Sequence, residues 1–258
     1  MLTRRVVNTV AVILLLMTVG LGFFVTLPYS IFALIIITWF VITALGSFFI
    51  RWNYHLKSYQ SNTTTNEDWV SITFDDGPNS EFTPRVLMLL KKHNAKATFF
   101  CIGQQMEKHP QILEQIIAGG HTVGNHTYSH SKSFGFFGNS EVETELKKTK
   151  SLINKLTGLE TDLYRPAFGV TNPSIERAVK KLGLKSIGWS IRSLDTTSRD
   201  ENIVLKRITS KVSKGDIILL HDTSEKAVRV LERLLVFLDE KNLKSVTVEQ
   251  LLNFEKHV

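Results

Sequence analysis

The chain has 258 residues, with 31 Lys and Arg against 24 Asp and Glu and a single cysteine, Cys101. This length suffices for one sizeable domain and an additional segment, and one cysteine excludes an intramolecular disulfide. Because Cys101 stands in an apolar run, we expect a buried structural thiol rather than a nucleophile. The basic residues do not cluster with aromatic ones, which argues against nucleic acid as a partner and is compatible with anionic lipids or glycans near a membrane.

The first fifty residues are strongly apolar, and residues 6–50 contain no charged side chain. This region is longer than the roughly 20 apolar residues that cross a bilayer once. The turn-forming run Leu27-Pro28-Tyr29-Ser30 divides it, so the pattern predicts two transmembrane helices, about residues 6–27 and 29–50, in an anchor of residues 1–55. A signal peptide is the alternative, but the region is too long for one and lacks an A-x-A-like cleavage site.

The orientation of this anchor is ambiguous. A helical hairpin returns the chain to the side of the membrane on which it began. Arg4 and Arg5 precede the first predicted helix, and Arg51 and Lys57 follow the second, so the positive-inside tendency places both ends in the cytoplasm. Glycan chemistry outside a cell requires the opposite side. The sequence therefore predicts an integral two-pass membrane protein and leaves open which side the remaining domain faces.

The rest of the chain alternates between short apolar runs and helical patterns. Residues 56–68 are rich in Ser, Thr, Asn and Gln and are predicted to be a polar linker. The predicted strands are residues 69–74, 97–102, 122–125, 163–165, 184–189, 216–221 and 245–248. The predicted helices are residues 84–93, 104–118, 140–157, 173–182, 202–212 and 226–240. Ser140 and Glu143 are predicted to form a capping box at the start of the helix at 140–157.

This alternation predicts a parallel α/β domain over residues 69–258. A closed or nearly closed barrel and an open doubly wound sheet fit the pattern equally well. In both architectures the functional residues lie at the C-terminal ends of the strands. The residues that follow each predicted strand are therefore the candidates for a site.

Carboxylates and imidazoles follow the first and third predicted strands. Asp75 and Asp76 stand in Thr73-Phe74-Asp75-Asp76-Gly77-Pro78, where one carboxylate can ligate a metal while its neighbour acts as a base. An Asp-Gly turn that caps a helix is the alternative. His126 and His130 have i, i+4 spacing, and two histidines with a carboxylate are a common set of catalytic metal ligands. The alternative is that the two histidines are unrelated polar residues in a loop and bind no metal.

Two further polar groups follow later strands. Arg165 begins the turn Arg165-Pro166-Ala167-Phe168-Gly169, where its guanidinium can orient a carboxylate or form a structural salt bridge. His221, which is followed by Asp222, ends a strand and can serve as a general acid or be a structural histidine. Four polar groups at the ends of four different strands favour a shared active site.

Together these motifs resemble the polysaccharide deacetylase family, the NodB-homology domain of carbohydrate esterase family 4, over essentially the whole region from Trp69 onward. The resemblance implies a distorted (β/α) barrel that hydrolyses the N-acetyl group of an amino sugar and releases acetate. The substrate would be an acetylated glycan or a lipid-linked amino sugar. The implied general base, acid and base-orienting residue are Asp75, His221 and Arg165. The implied ligands of a divalent metal, with Zn²⁺ favoured, are Asp76, His126 and His130.

The expected substrate contacts lie in two of the same motifs. Leu219, from the L-x-H motif that ends in His221, is implied to line the acetyl pocket. A backbone N–H near the turn from Tyr128 to His130, or in the Arg165 loop, is expected to bind the oxyanion that forms during hydrolysis. Tyr128 is therefore a second candidate substrate-binding residue.

The sequence departs from the family pattern in two motifs. Ala167 replaces the usual second proline after Arg165. The run Arg192-Ser193-Leu194-Asp195-Thr196 resembles D-S-x-D-W, but an arginine replaces the Asp that supports the acid histidine, and a threonine replaces the Trp. A carboxylate raises the pKa of a neighbouring histidine, whereas an arginine lowers it. The candidates to replace the missing carboxylate are Asp195 and Asp222.

Two other functions fit the same residues. Relatives of this fold hydrolyse other non-peptide amides, such as cyclic ureides, although such an enzyme has little use for a membrane anchor. A catalytically impaired membrane protein that binds glycan is the second possibility, and only Arg192 and Thr196 support it. The pattern is compatible with peptidoglycan, chitin-like oligomers, an exopolysaccharide or a lipid-linked sugar, and with any oligomeric state.

Overall fold

In a computed structural model of the protein, which describes residues 2–254, two long N-terminal helices precede an α/β domain. Helix α1 spans Arg4–Gly22 and helix α2 spans Ser30–Phe48. At about 1.5 Å per residue each is about 28 Å long, close to the thickness of the hydrocarbon core of a bilayer. Only 11% and 6% of their apolar stretches are buried, so these side chains do not form the core of the domain. The last four residues of the predicted domain, 255–258, lie outside the described residues.

The open ends of this helical hairpin are attached to the domain. The backbone N–H of Arg4 donates to the carbonyl of Tyr54 at 2.9 Å, and its guanidinium pairs with Glu176 at 3.1 Å. The backbone N–H of Thr171 donates to the carbonyl of Ser47 in the last turn of α2 at 2.9 Å. The start of α1 and the end of α2 therefore both lie against the domain.

The domain consists of short strands connected by helices, as the alternating pattern predicts. The strands are β1 (Ser58–Tyr59), β2 (Trp69–Asp75), β3 (Ala97–Cys101), β4 (Thr122–Asn125), β5 (Leu163–Tyr164), β6 (Lys185–Ile187), β7 (Ile191–Arg192), β8 (Ile217–His221) and β9 (Lys244–Ser245). The helices are α3 (Phe82–Lys92), α4 (Gly103–Lys108), α5 (Pro110–Ala118), α6 (Asn139–Thr157), α7 (Pro173–Lys181), α8 (Glu201–Thr209), α9 (Glu225–Glu240) and α10 (Val248–Leu251). Short 3₁₀ turns are formed by Ile50–Trp52, Phe134–Phe136 and Ala167–Gly169.

The strands form one curled sheet, in the order β1-β6-β5-β4-β3-β2-β8-β7, with β9 also paired to β2. Every pair between these strands is parallel. Only three residues separate β6 from β7, yet β6 pairs with β5 and β7 pairs with β8 at the other end of the order. This segment brings the two ends of the sheet together. The structure thus confirms the distorted barrel and excludes the open doubly wound sheet.

Alternate residues along each strand pack into different parts of the core, as the period of two in a strand requires. On β8, Ile218 and Leu220 pack with the surrounding helices, whereas Ile217 and Leu219 pack with the second cluster of the sheet. On β3, Phe99 stacks on Phe74 of β2 at 4.9 Å between ring centroids. The free thiol of Cys101 is buried, which agrees with the structural role expected from the sequence.

Three local predictions are wrong in detail. The predicted helix at 104–118 is two helices, because Pro110 cannot donate a backbone hydrogen bond and instead occupies the first turn of α5. The capping box at Ser140 is shifted, since α6 begins at Asn139 and the carboxylate of Glu141 accepts the backbone N–H of Gly138 at 2.8 Å. The predicted strand at 245–248 ends at Ser245.

The predicted linker at 56–68 also contains regular structure. Ser58 and Tyr59 form β1 and pair with β6, and the hydroxyl groups of Ser58 and Ser186 lie 2.8 Å apart. Asn62 lies outside the strands, and its side chain donates to the carbonyl of Leu251 at 2.7 Å. This segment therefore packs along the domain and is not a free linker. Its polar side chains form hydrogen bonds to the domain.

Gly124 of β4 provides a test of the packing beneath the site. A Cβ at this position would lie 2.6 Å from the buried ring of Phe100, which in turn lies 4.1 Å from the guanidinium of Arg165. We expect Gly124→Ala to lower the free energy of unfolding by about 1–3 kcal/mol, the usual cost of overpacking a core. Thermal unfolding of the full chain in detergent solution measures the change. Gly138→Ala is the control, because the nearest atom there is 3.4 Å from the new Cβ, and equal stability of the two variants would contradict the packing.

Candidate active site

The sequence-predicted residues meet at the C-terminal edge of the curled sheet. Asp75 is the last residue of β2 and His221 is the last residue of β8, and the two stand in register on neighbouring strands. Asp76 follows β2, His126 follows β4 and Arg165 follows β5. The parallel direction of the strands places all five at one edge.

Three side chains are arranged as a set of metal ligands. Oδ1 of Asp76 lies 3.4 Å from Nε2 of His126 and 3.3 Å from Nε2 of His130. Two donors that bind one Zn²⁺ ion tetrahedrally at about 2.1 Å are themselves about 3.4 Å apart. The ligand atoms of all three residues lie within 4.8 Å of one another. The donor types and their spacing therefore fit a divalent metal ion.

The ring of His126 is fixed by a backbone group. Its Nδ1 donates to the carbonyl of Arg165 at 2.9 Å, which leaves Nε2 directed at Asp76. Metal-binding histidines usually donate their other ring N–H in this way, because the bond sets the tautomer and the orientation of the ring. The loop after β5 thus orients a candidate ligand that belongs to the loop after β4.

Both loops that carry these ligands adopt strained backbone conformations. Asp76, Thr127 and His130 have φ values of 76°, 65° and 48°, in the left-handed region that side-chain-bearing residues rarely occupy. Asn125 accepts the backbone N–H of Thr127 through its side chain at 3.0 Å, and the Thr127 hydroxyl accepts the N–H of His130 at 3.1 Å. These bonds hold the tight turn that brings the two histidine rings within 4.9 Å of each other.

Glu145 on α6 is a supporting residue that the sequence patterns did not single out. Its Oε2 accepts the backbone N–H groups of Tyr128 and Ser129 at 3.0 and 2.8 Å, and the hydroxyl of Ser129 at 3.0 Å. All three donors lie between the two ligand histidines. Its position in an amphipathic helix gives no signal of this role, because only the tertiary fold brings α6 to the turn.

These bonds argue against one of the two places expected for an oxyanion site, the turn from Tyr128 to His130, and the other place, the Arg165 loop, stays an expectation. The backbone N–H groups of Tyr128 and Ser129 bind Glu145, and that of His130 binds Thr127, so the turn offers no free N–H to a substrate oxygen. The side chain of Tyr128 lies at the rim of the site, where its hydroxyl donates to Glu107 at 2.7 Å. Leu219 is buried in the second core cluster, two residues before His221.

A buried ion pair holds the first carboxylate of the motif. Nη1 of Arg165 donates to Oδ1 of Asp75 at 2.8 Å and to the hydroxyl of Thr73 at 2.7 Å. Its Nε and Nη2 donate to the carbonyls of Ile187 and Gly188 at 3.2 and 2.9 Å. Because Oδ1 is engaged, Oδ2 of Asp75 is the oxygen that faces the histidines, 3.9 Å from Nε2 of His126.

The acid candidate His221 has a carboxylate partner despite the altered fourth motif. Oδ1 of Asp195 lies 2.9 Å from Nδ1 of His221, and Oδ2 accepts the backbone N–H of His221 at 2.8 Å. The hydroxyl of Ser193 donates to the same carboxylate at 2.8 Å. Of the two candidates for this support, Asp195 makes the contact. Asp222 does not, and its carboxylate instead accepts the hydroxyl of Thr83.

The charges at the site shift its pKa values in opposite directions. Burial opposes ionisation of Asp76, but the hydrogen bond from His126 and the charges of the three histidines lower its pKa to about 2. Burial lowers the pKa of His221, but the hydrogen bond and charge of Asp195 outweigh it and raise this pKa to about 9. The pKa of His130 is lowered, mainly by burial. A carboxylate poised to bind cations thus lies beside an imidazole that keeps its proton at neutral pH.

Two further groups border the site. Phe168, in the turn after Arg165, has a φ of 58° and places its half-exposed ring 4.5 Å from the ring of His130. It offers an apolar wall beside the donor set. Asp222 is buried against Gly77, and burial raises the pKa of its carboxyl to about 7.

The fold and these groups define a polysaccharide deacetylase, and the chain belongs to the polysaccharide deacetylase family. The family profile with this description matches residues 62–187. A peptidoglycan-N-acetylglucosamine deacetylase of Bacillus cereus is 30% identical over 203 residues, which cover 77% of this chain and 74% of that protein. A chitooligosaccharide deacetylase of Azorhizobium caulinodans is 35% identical over 161 residues, which cover 62% of this chain and 76% of that protein.

Solved structures agree with the family assignment. The crystal structure of a peptidoglycan N-acetylglucosamine deacetylase matches with a TM-score of 0.73 at 30% identity, and covers 78% of this chain and 95% of that one. The matched share of this chain is close to the share that follows the helical hairpin. A match of this extent has about the length of the α/β domain.

Removing the carboxylate of Glu145 tests its support of the histidine turn. We expect Glu145→Ala to weaken Zn²⁺ binding by about 10–100-fold, the usual effect of losing a group that orients metal ligands. Competition with a chromophoric chelator measures the affinity. Glu143→Ala on the same helix is the control, because Glu143 pairs with Lys181 at 2.7 Å instead of the turn. Equal affinities of the two variants would show that the turn does not need Glu145.

Proposed function

We propose that this protein is a membrane-anchored, metal-dependent deacetylase that hydrolyses the N-acetyl group of an amino sugar, with Asp75 as base and His221 as acid. The observation that carries the proposal is the pair of groups beside the donor set. Oδ2 of Asp75 lies 3.9 Å from Nε2 of His126, and Nε2 of His221 lies 4.0 Å from Oδ2 of Asp76. A proton acceptor and a proton donor thus stand within reach of one reacting centre.

The ligand set and its neighbours have distinct tasks in this reaction. Asp76, His126 and His130 would hold a divalent ion, with Zn²⁺ favoured, which would acidify a water molecule and polarise the acetamide carbonyl. Asp75 takes the proton of the attacking water at Oδ2, while Arg165 holds Oδ1 and so fixes the direction of the base.

The second proton transfer completes the hydrolysis. His221 carries a proton at neutral pH because Asp195 raises its pKa to about 9. It gives that proton from Nε2 to the nitrogen of the amide as the C–N bond breaks. Water adds to the acyl carbon before this bond breaks, so the products are acetic acid, which ionises to acetate, and the free amino sugar. Asp75 then releases the proton that it took and His221 regains one from solvent, which restores both groups.

The substrate class follows from the named relatives. Those proteins are a peptidoglycan-N-acetylglucosamine deacetylase and a chitooligosaccharide deacetylase. Their shared feature is the acetamide of an amino sugar in a glycan. We therefore propose an acetylated glycan, or an amino sugar carried by a lipid, as the substrate.

The contact between Asp195 and His221 also weighs against a catalytically impaired protein. Arg192 and Thr196 suggested such a protein from sequence, because they replace two members of the fourth motif. The acid histidine nevertheless has two hydrogen bonds to a buried carboxylate. His221 therefore keeps a supporting carboxylate, which comes from Asp195 and not from position 192.

We further propose that α1 and α2 span a membrane as a hairpin. Their apolar side chains are largely exposed, which is unfavourable in water and favourable in lipid. Some polar groups on these helices are paired: the indole N–H of Trp39 donates to Asn8 at 2.9 Å, and the hydroxyl of Thr18 donates to the carbonyl of Leu14 at 2.7 Å. Such pairing is required of polar side chains in a bilayer.

Replacing the base tests the reaction and its metal dependence together. We expect Asp75→Asn to reduce acetate release from an N-acetylglucosamine oligomer by about 10²–10⁴-fold, the range for losing a general base. Asp68→Asn, at an exposed position before β2, is the control. Bound Zn²⁺ is measured in parallel and should stay the same. Substantial turnover by Asp75→Asn would remove its role as base, and release that resists a chelator would exclude a metal-dependent reaction.

The pH profile tests the partnership of His221 and Asp195. The pKa of His221 is raised, so its acid form is present below that pKa and is lost as the pH rises through about 9. Asp195→Asn removes the negative charge, and the alkaline limb of kcat/KM should move to lower pH by about 1–3 units. Ser193→Ala keeps the carboxylate and should move the limb less. An unchanged alkaline limb in Asp195→Asn would assign the acid to another group.

A further inference from the structure

A groove of about 360 Å³ lies where the end of α2 meets the domain. One wall is formed by the last residue of α2 and the 3₁₀ turn that follows, and the other by β7 and α8. The side chains that give this groove its charge are Arg51, Arg192, Arg207 and Lys211. We refer to it as the basic groove.

The four cations of the basic groove are not neutralised by the protein. Within residues 2–254, none of them forms an ion pair with a carboxylate, and no Asp or Glu lines the groove. Elsewhere in the domain, Arg85 and Arg229 pair with Glu225 and Glu201. Four positive charges at the rim of one cavity attract an anion.

Backbone carbonyls direct two of the guanidinium groups. Nε of Arg51 donates to the carbonyl of Trp189 at 3.3 Å, and Nε of Arg207 donates to the carbonyl of Arg192 at 2.8 Å. Each of these bonds engages only the Nε–H of the guanidinium, so its two Nη groups remain available to a ligand. The guanidinium of Arg192 lies 5.8 Å from the ring of Trp189. Guanidinium groups held in this manner are suited to the oxygen atoms of a phosphate.

The position of the groove indicates where the phosphate comes from. Phe48 and Phe49, at the end of the apolar helix α2, are 67% and 52% exposed, and Trp52 follows them at the groove wall. Aromatic side chains beside basic ones at the end of a membrane helix are typical of the level of the lipid headgroups. A soluble anion has no apolar part to contact the aromatic wall of the groove.

We propose that the basic groove binds the phosphate of an anionic membrane lipid. This inference rests on the proposed membrane hairpin. The acyl chains lie along the exposed aromatic end of α2, and the phosphate lies among the four cations. Bound lipid holds the domain against the membrane surface. The arginine at position 192, unexplained by the catalytic residues, is then a member of the lipid site.

The test measures headgroup binding directly by the full chain in detergent. Dioctanoyl phosphatidylglycerol, dioctanoyl phosphatidylcholine and inorganic phosphate are titrated separately, and the emission of the tryptophans, two of which line the groove, reports binding. The groove variant combines Arg192→Gln, Arg207→Gln and Lys211→Gln. The control removes three exposed lysines on α3 and α4, through Lys91→Gln, Lys92→Gln and Lys108→Gln.

We expect phosphatidylglycerol to bind at least tenfold more tightly than phosphatidylcholine or inorganic phosphate. The groove variant should lose this preference, and the control should keep it. Equal binding by groove variant and control would overturn the proposal, and equal binding of inorganic phosphate and phosphatidylglycerol would overturn the lipid as its source. Lys211→Gln alone, which removes one exposed charge, should weaken binding by a smaller factor if the triple variant does not fold.

Alkaline extraction of membranes that contain the full chain separates this inference from the anchor. Protein that stays in the membrane, while the groove variant and the control bind lipid equally, would refute the groove and leave the anchor intact. Protein that is extracted, while the groove variant alone loses phosphatidylglycerol, would refute the hairpin anchor and keep the anion site. Retention together with loss in the groove variant supports both.

Discussion

The buried ion pair between Arg165 and Asp75 is the interaction on which the rest of the site depends. The guanidinium is fully buried and distributes its donors to Asp75, to Thr73 and to two carbonyls of the β6–β7 segment, while its own carbonyl orients His126. Burial lowers the pKa of Arg165, and Asp75 opposes this shift. A charge of this kind is tolerated only with its partners in place, because the loss of one leaves the other uncompensated. The pair therefore ties the proposed base, one proposed metal ligand and the closure of the curled sheet to a single geometry.

Backbone strain is concentrated at the same edge of the sheet. Asp76, Thr127, His130, Phe168 and Leu194 all have positive φ, and each lies in a loop that follows a strand of the site. Such conformations cost on the order of 1–3 kcal/mol per residue and persist only where the surroundings determine them. Here the surroundings are side chains such as Asn125 and Glu145, which bind the backbone of the histidine turn. The short strands and the packed core beneath them supply the rigidity that holds these loops.

Much of this arrangement was accessible from the sequence, because apolar runs and polar strand ends are local signals. The strand at 122–125 was predicted with its observed bounds, and Asp75, Asp76, His126, Arg165 and His221 were placed at one edge. Strands β1 and β7 have only two residues each, too few to show a period, and exist because neighbours pair with them. Glu145 and the choice of Asp195 over Asp222 were inaccessible for a related reason. Both depend on which distant segments meet in space, and no local pattern records that.

The fourth motif shows how a departure in sequence can leave the chemistry intact. The support of the acid histidine is a matter of where a carboxylate stands, not of which motif position supplies it. Leu194, with a φ of 65°, turns the chain so that Asp195 reaches both the ring and the backbone of His221. A carboxylate at position 192 is therefore not needed to support His221. An arginine there lies 5.8 Å from one ring, Trp189, whose ring is also 5.8 Å from Arg165. The ring of Trp189 is thus within about 6 Å of both the guanidinium that holds Asp75 and one guanidinium of the basic groove.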